Sequence, residues 1–151
     1  QIGAGVAGTG PAFHVNRENT TQSFSSGVWT KIQFNHIVYD TADNYDIITN
    51  HRFTPTVAGY YIFILVVNFG ASGGDPSTSG IGIYINGDVY RYGPVRYFSS
   101  GKLGSITATY GAIMNGTSDY VEPFIYSDGA SPAITPDTAQ AAFEGYMVRS
   151  A

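Results

Sequence analysis

Apolar residues in this chain alternate with a period of two, over and over, and that pattern leaves little room for any fold but an all-β one. Ile81, Ile83 and Ile85 alternate with Gly82 and Tyr84, the pair Asn86-Gly87 follows at once, and Val89, Tyr90 and Arg91 come next. That is a strand, a tight turn of the kind Asn-Gly favours, and a second strand. Ile106, Ala108, Tyr110, Ala112 and Met114 form another alternating run, ending in Asn115-Gly116. Residues 120–126 read as its return strand, with Val121 and Ile125 on one face. Pro123 inside that run predicts an edge strand or a bulge, because proline has no N–H for the ladder. Residues 143–149 form a short β-rich stretch. The best helical segment is 137–143, capped by Asp137. It spans only about two turns, too few to hold without packing. Many short strands separated by Gly- and Pro-rich turns predict a sandwich or barrel.

The segment Gly59 to Phe69 reads Gly-Tyr-Tyr-Ile-Phe-Ile-Leu-Val-Val-Asn-Phe. An antiparallel strand with one wet face alternates apolar with polar residues, whereas this one is apolar on both faces. Either a covering loop or a second subunit dries its outer face. Subunit contact is the simpler source, because loops long enough to cover a strand are uncommon.

Composition excludes several classes. The chain has 151 residues, enough for one domain with a real core. Charged residues make up only 12%, against about 25% in an average protein. With twelve Tyr and nine Phe, the chain has the apolar surface to offset ordering entropy. The formal charge of −4 argues against a nucleic-acid footprint. The absence of Cys removes disulfides, thiolate metal sites and a cysteine nucleophile. The densest apolar run, 60–67, is far short of the roughly 18 residues of a membrane helix. The first ten residues hold Gly at 3, 5, 8 and 10, which reads as a flexible lead-in and breaks the period of a collagen arm. The head domain is then 11–151. A start at Gln1 rather than Met fits processing or a piece of a longer protein.

The ordered residues resemble a known family. Phe53-x-x-x-x-x-Gly59-x-Tyr61-x-Phe63 resembles the signature of the globular head of complement component C-one-q, within the tumour-necrosis-factor-like jelly rolls. Pro11-Ala12-Phe13 resembles the family's first strand, and Ile32-x-Phe34-x-x-Ile37-x-Tyr39 the segment before the signature. Tyr45-Asp46 with Thr49 is similar to the stretch preceding its Phe. Ile83-x-Ile85-Asn86-Gly87 matches its strand and turn, and Tyr110-Gly111-Ala112 into Asn115-Gly116 and Val121 resembles the later hairpin. Phe143-x-Gly145-Tyr146-Met147-Val148 resembles the closing strand. The resemblance implies a ten-stranded antiparallel jelly roll forming a homotrimer, with strands like 59–69 buried along the threefold axis. Tyr61, Phe63, Leu65, Val67, Phe143 and Tyr146 are the residues assigned to the core and trimer interface. Lack of Cys, low charge and the Gly-rich lead-in depart from the animal pattern and point to a bacterial, phage or viral relative.

Constellations for chemistry are missing. His14, His36 and His51 lack zinc-ligand spacing. Asp40, Asp43 and Asp46, three apart, do not match a calcium loop and read as a solvated turn. No cofactor is implied, and the one cation that symmetry would supply oxygens for is calcium on a trimer axis. Glu122 and Glu144 are the carboxylates a glycosidase reading would invoke, each expected as a lone outward group on a strand. No nucleophile elbow or phosphate loop occurs. Asn19-Thr20-Thr21 and Asn115-Gly116-Thr117 match the glycosylation pattern, which arises by chance in a chain of this composition. The sole Trp, Trp29, is assigned by default to the core or an interface.

Binding is the better case. Tyr90, Arg91, Tyr92, Arg96 and Tyr97 concentrate rigid aromatic and planar cationic side chains, the types that recognition surfaces favour. Loops 70–80 and 127–136 are expected at an end of the sandwich, where ligand contacts usually lie. The reading is a non-enzymatic trimeric head at the tip of a fibre or stalk, binding a cell-surface glycan or protein receptor, outside the cell or on a virion or cell surface. The rival is a structural trimerisation or capping unit of a virion fibre, capsid or spore coat with no ligand of its own. Nucleic acid and membrane insertion are not expected.

Overall fold

The computed structural model describes residues 10–69, 77–99, 104–134 and 141–151. The elements are β1 (Ala12–Asn16), β2 (Gln22–Ser23), β3 (Thr30–Lys31), β4 (His36–Asp40), β5 (Tyr45–Asp46), β6 (Arg52–Phe53) and β7 (Gly59–Phe69). They continue with β8 (Ser77–Ile85), β9 (Asp88–Phe98), β10 (Gly104–Met114), β11 (Val121–Ser127), β12 (Ala133–Ile134) and β13 (Ala141–Ser150). No α-helix occurs among the described residues.

Two layers carry the fold. One is a five-stranded sheet in the order β10-β7-β13-β1-β4. The other runs β5-β6-β11-β8-β9, with β3 also paired to β11. These eleven strands are all antiparallel to their neighbours, and β2 and β12 form a small separate pair. Ten strands on the two main paths, with β3 added at β11, make the antiparallel jelly roll that the family resemblance implies.

The core lies between the layers and is aromatic at its centre. Phe13 stacks on Phe53 with ring centroids 4.3 Å apart and meets Phe143 edge-on at 5.2 Å. Phe13, Phe63 and Phe143 come from the first layer, Phe53 and Tyr45 from the second, and all are buried. Edge and offset contacts of this kind suit the ring quadrupoles. Gly145 makes room for them, because a Cβ there would sit 2.6 Å from the Phe63 ring and 2.8 Å from that of Phe13.

The Asn86-Gly87 turn joins β8 to β9 with both residues at positive φ, 56° and 85°, which matches the twist of the flanking strands. The second Asn-Gly does something else. β11 pairs with β8, β6 and β3, not with β10, so Asn115-Gly116 is no hairpin turn but a crossing from one layer to the other. The Asn115 side-chain carbonyl accepts from the amides of Thr117, Ser118 and Asp119. Gly116, at φ 71°, sits so close to Val57 and Ala58 that any side chain would strike backbone.

Three further expectations need correction. Pro123 lies in a central strand, not at an edge: on its other side the partner changes from β6 at Val121 to β3 at Phe124, so no continuous ladder needs its missing N–H. Residues 137–140 of the expected helix, and 1–9 of the lead-in, lie outside the described residues. Ala141 to Phe143 are strand, drawn into β13 by pairing with β7. Residues 77–80, expected in a loop, belong to β8.

Candidate recognition surface

β7 sits between β10 and β13, and its two faces meet different surroundings. Tyr61, Phe63, Leu65 and Val67 point between the layers and are at most 1% exposed. Phe143 is likewise buried, so five of the six residues assigned to core and interface are core of the single chain. Tyr146 alone lies outside, 47% exposed. The alternate residues of β7, namely Tyr60, Ile62, Ile64 and Val66, face outward. Cross-strand pairing aligns Ile62 with Tyr146 and Gly111, Ile64 with Glu144 and Thr109, and Tyr60 with Ile113. Ile113 is 61% and Val148 58% exposed. Tyr60, Ile62, Ile113 and Val148 line an apolar groove of about 330 Å³ that Tyr90 closes on one side. Among the described residues no loop covers this face.

The row Tyr39, His14, Glu144, Ile64 carries the polar part of the same face. His14 Nδ1 lies 3.6 Å from Glu144, and its ring meets Tyr39 edge-on. Burial, then the Glu144 charge, raises the Tyr39 pKa.

The five residues singled out for binding all lie on β9, the edge strand of the second layer. The strand brings them to one side of the sandwich but splits them between its faces. Residues directly opposite in a sheet share a face. Tyr92 opposes Gly82 and Tyr97 opposes Thr78, on the outer face. Arg91 opposes Ile83 and Arg96 opposes Ser79, on the other. Tyr90 falls at a bulge and donates its hydroxyl to the Gly111 carbonyl of β10 at 2.9 Å, tying the two layers together at their open edge. Tyr97 is 70% exposed and Tyr92 53%. Arg91 lies 5.9 Å from the Tyr90 ring.

Trp29, assigned by default to the core or an interface, lies outside the core. It is half-buried on the outer face of the second layer, stacked on Tyr92 at 4.6 Å and close to Tyr126 at 5.5 Å. Nothing local to residue 29 announces this: it follows from Gly80 and Gly82 on β8, whose missing side chains leave a floor for the rings.

The acidic residues have structural partners. Glu122 is not an exposed strand carboxylate. It is 6% exposed and receives a 2.7 Å hydrogen bond from Lys31, which also donates to the Asn50 carbonyl. Asp46 accepts from the amides of Ile48, Thr49 and Asn50 and from the Asn50 side chain, which holds its carboxyl well below the usual carboxylate range. Asp40 accepts from the Ala42 and Tyr45 amides. Among the described residues no group of three His, Asp or Glu side chains is placed to hold a metal. No described helix is long and apolar enough to cross a membrane.

No protein-family model matches the sequence, and no curated protein matches it. Solved structures do match. Eiger TNF from S. frugiperda superposes with a TM-score of 0.63 at 11% identity, covering 94% of each chain. The globular domain of zebrafish complement 1qA protein gives 0.55 at 19%, covering 93% of this chain and 99% of that one. Murine APRIL at pH 5.0 gives 0.66 at 10%, covering 93% and 100%. At these identities the likeness is one of fold, and it spans nearly the whole chain. The protein has the jelly roll shared by the tumour-necrosis-factor-like and complement C-one-q globular domains.

Proposed function

We propose that the protein is a trimeric, non-enzymatic recognition head, spanning residues 11–151, that sits outside the cell or on a virion or cell surface at the tip of a fibre or stalk. The observation that carries this reading is the uncovered apolar face of β7 with Ile113, Tyr146 and Val148. A contiguous wet apolar face of this kind marks an interface. Two further copies supply the cover, and the low charge of the chain then reflects surface committed to subunit contact. The jelly-roll likeness supports the same assembly by analogy of fold.

The ligand surface is β9, where exposed Tyr92 and Tyr97 and the arginines Arg91 and Arg96 stand on an edge strand. The ligand is a cell-surface molecule, with a glycan the chemistry these aromatic faces suit best. Sedimentation velocity of the purified domain tests the assembly, and a stable monomer refutes it. A glycan and host-cell binding panel tests recognition. Loss of binding on Tyr92→Ala or Tyr97→Ala supports it, and silence across the panel favours a structural cap of a fibre, capsid or spore coat.

A further inference from the structure

We propose that the outer face of the second layer carries a stacking site for a neutral sugar ring, formed by Trp29, Tyr92 and Tyr126. This rests on the recognition-head reading and gives it a ligand class and a centre. That centre is off β9 alone and away from Arg91 and Arg96.

The site follows from the register. On the outer face, one row across the strands is Tyr92, Gly82, Phe124, Lys31. A second is Val95, Gly80, Tyr126, and a third Val89, Tyr84, Glu122. The two glycines are the key positions. A Cβ on Gly82 would lie 3.3 Å from the Tyr92 ring, and one on Gly80 would lie 3.1 Å from Val95 and 3.5 Å from Trp29. With no side chains there, the flanking rings lie down over the backbone instead of standing off it. Trp29, arriving from the turn before β3, stacks on Tyr92 with the planes 26° apart. Tyr84 stacks on Phe124 at 3.7 Å and extends the aromatic surface. The result is a broad aromatic floor, wet at Trp29, Tyr92 and Tyr126 and fringed by phenolic hydroxyls.

A flat aromatic floor accepts a sugar ring through its C–H face, a nucleobase, or proline. Charge selects among them. Lys31 and Glu122 are the charged residues in the three rows, and they are held together at 2.7 Å. These rows therefore offer no unpaired cation for the phosphate that accompanies a base, nor for an acidic sugar. An electrically balanced floor with hydroxyl donors and acceptors at its rim complements a neutral saccharide. Its position agrees with the role, since it lies on the layer opposite the apolar face of β7 and stays open when that face is covered by other copies.

The chain has a single Trp, so its emission reports on this site directly. The experiment titrates the full chain with neutral oligosaccharides (cellohexaose, maltohexaose, chitohexaose), with oligogalacturonate, with a polyproline peptide and with oligothymidylate. The expected result is a saturable change in Trp29 emission with at least one neutral sugar. By calorimetry, Trp29→Ala and Tyr92→Ala weaken that binding at least about tenfold, in keeping with the loss of a stacking contact. Trp29→Phe, which keeps a ring and holds the fold, retains most of it. Unchanged emission with every neutral sugar overturns the site, as does full affinity in Trp29→Ala, or a response confined to the peptide or the oligonucleotide. Binding of oligogalacturonate that is lost with Arg91→Ala also overturns the site while leaving the recognition head standing. Failure of all sugars on this chain and on host cells overturns both.

Discussion

Phe63→Ala and Ile64→Asp alter neighbouring positions on β7 and are expected to fail in different ways. Phe63 is 0% exposed and lies 6.0–6.4 Å, ring to ring, from Phe13, Tyr61, Phe143 and Phe53. Truncating a fully buried Phe costs about 3–5 kcal/mol, through lost transfer energy and the cavity left behind. At about 2–4 °C per kcal/mol for a domain of this size, the melting temperature falls by roughly 6–20 °C. Ile64 faces out, half-buried, beside Thr109 and Glu144. In one copy, Ile64→Asp loses part of a side chain's burial and gains a like-charge neighbour, a cost of about 1 kcal/mol. In the assembly, the same Asp is an unpaired charge in an apolar interface, in every copy, at a cost of several kcal/mol each. Ile64→Asp should therefore sediment as a monomer with the β spectrum of the wild type. Phe63→Ala should lose the fold before it loses anything else. An Ile64→Asp protein that still sediments as the wild-type assembly would refute the reasoning that the outer face of β7 is the interface.

Glu122→Gln leaves Lys31 without its carboxylate, and because Lys31 is a third exposed the expected loss is about 1–3 kcal/mol, read by urea denaturation; a stability equal to wild type would show that the pair contributes nothing. Gly145→Ala pushes a methyl against the Phe63 and Phe13 rings and should cost about 1–3 kcal/mol by the same assay, with unchanged stability counting against the packing described. Asp46 has a folded-state pKa below its unfolded value, so its contribution is present above the ordinary carboxylate range and is lost as pH falls through the folded value. Asp46→Ala should therefore lower the melting temperature at pH 7, with the difference from wild type shrinking in acid; a difference that grows as pH falls contradicts the assigned hydrogen bonds.

Local pattern was enough for the strands themselves. Ile81, Ile83 and Ile85 fix which face of β8 is inside because a side-chain period of two admits only one choice once one face is buried. Asn86-Gly87 fixes its hairpin because both residues must take positive φ. The excess of apolar residues on 59–69 is equally plain, since it depends on no partner. What strand pairs with what is not local. Asn115-Gly116 looks the same in sequence as Asn86-Gly87, yet it crosses between layers, because β11 pairs with β8 in the second layer and not with β10. Pro123 is tolerated in a central strand only because two different strands share its far side. The place of Trp29 outside the core and the burial of Glu122 are not local either: a glycine floor on β8 and a lysine from β3 set their surroundings, and both lie far away in the chain. The sequence by itself determined an all-β, charge-poor domain with one strand apolar on both faces. Only the tertiary structure decided which side of that strand is core, and that Trp29, Tyr84, Tyr92 and Tyr126, from a loop and three separate strands, share one outer face.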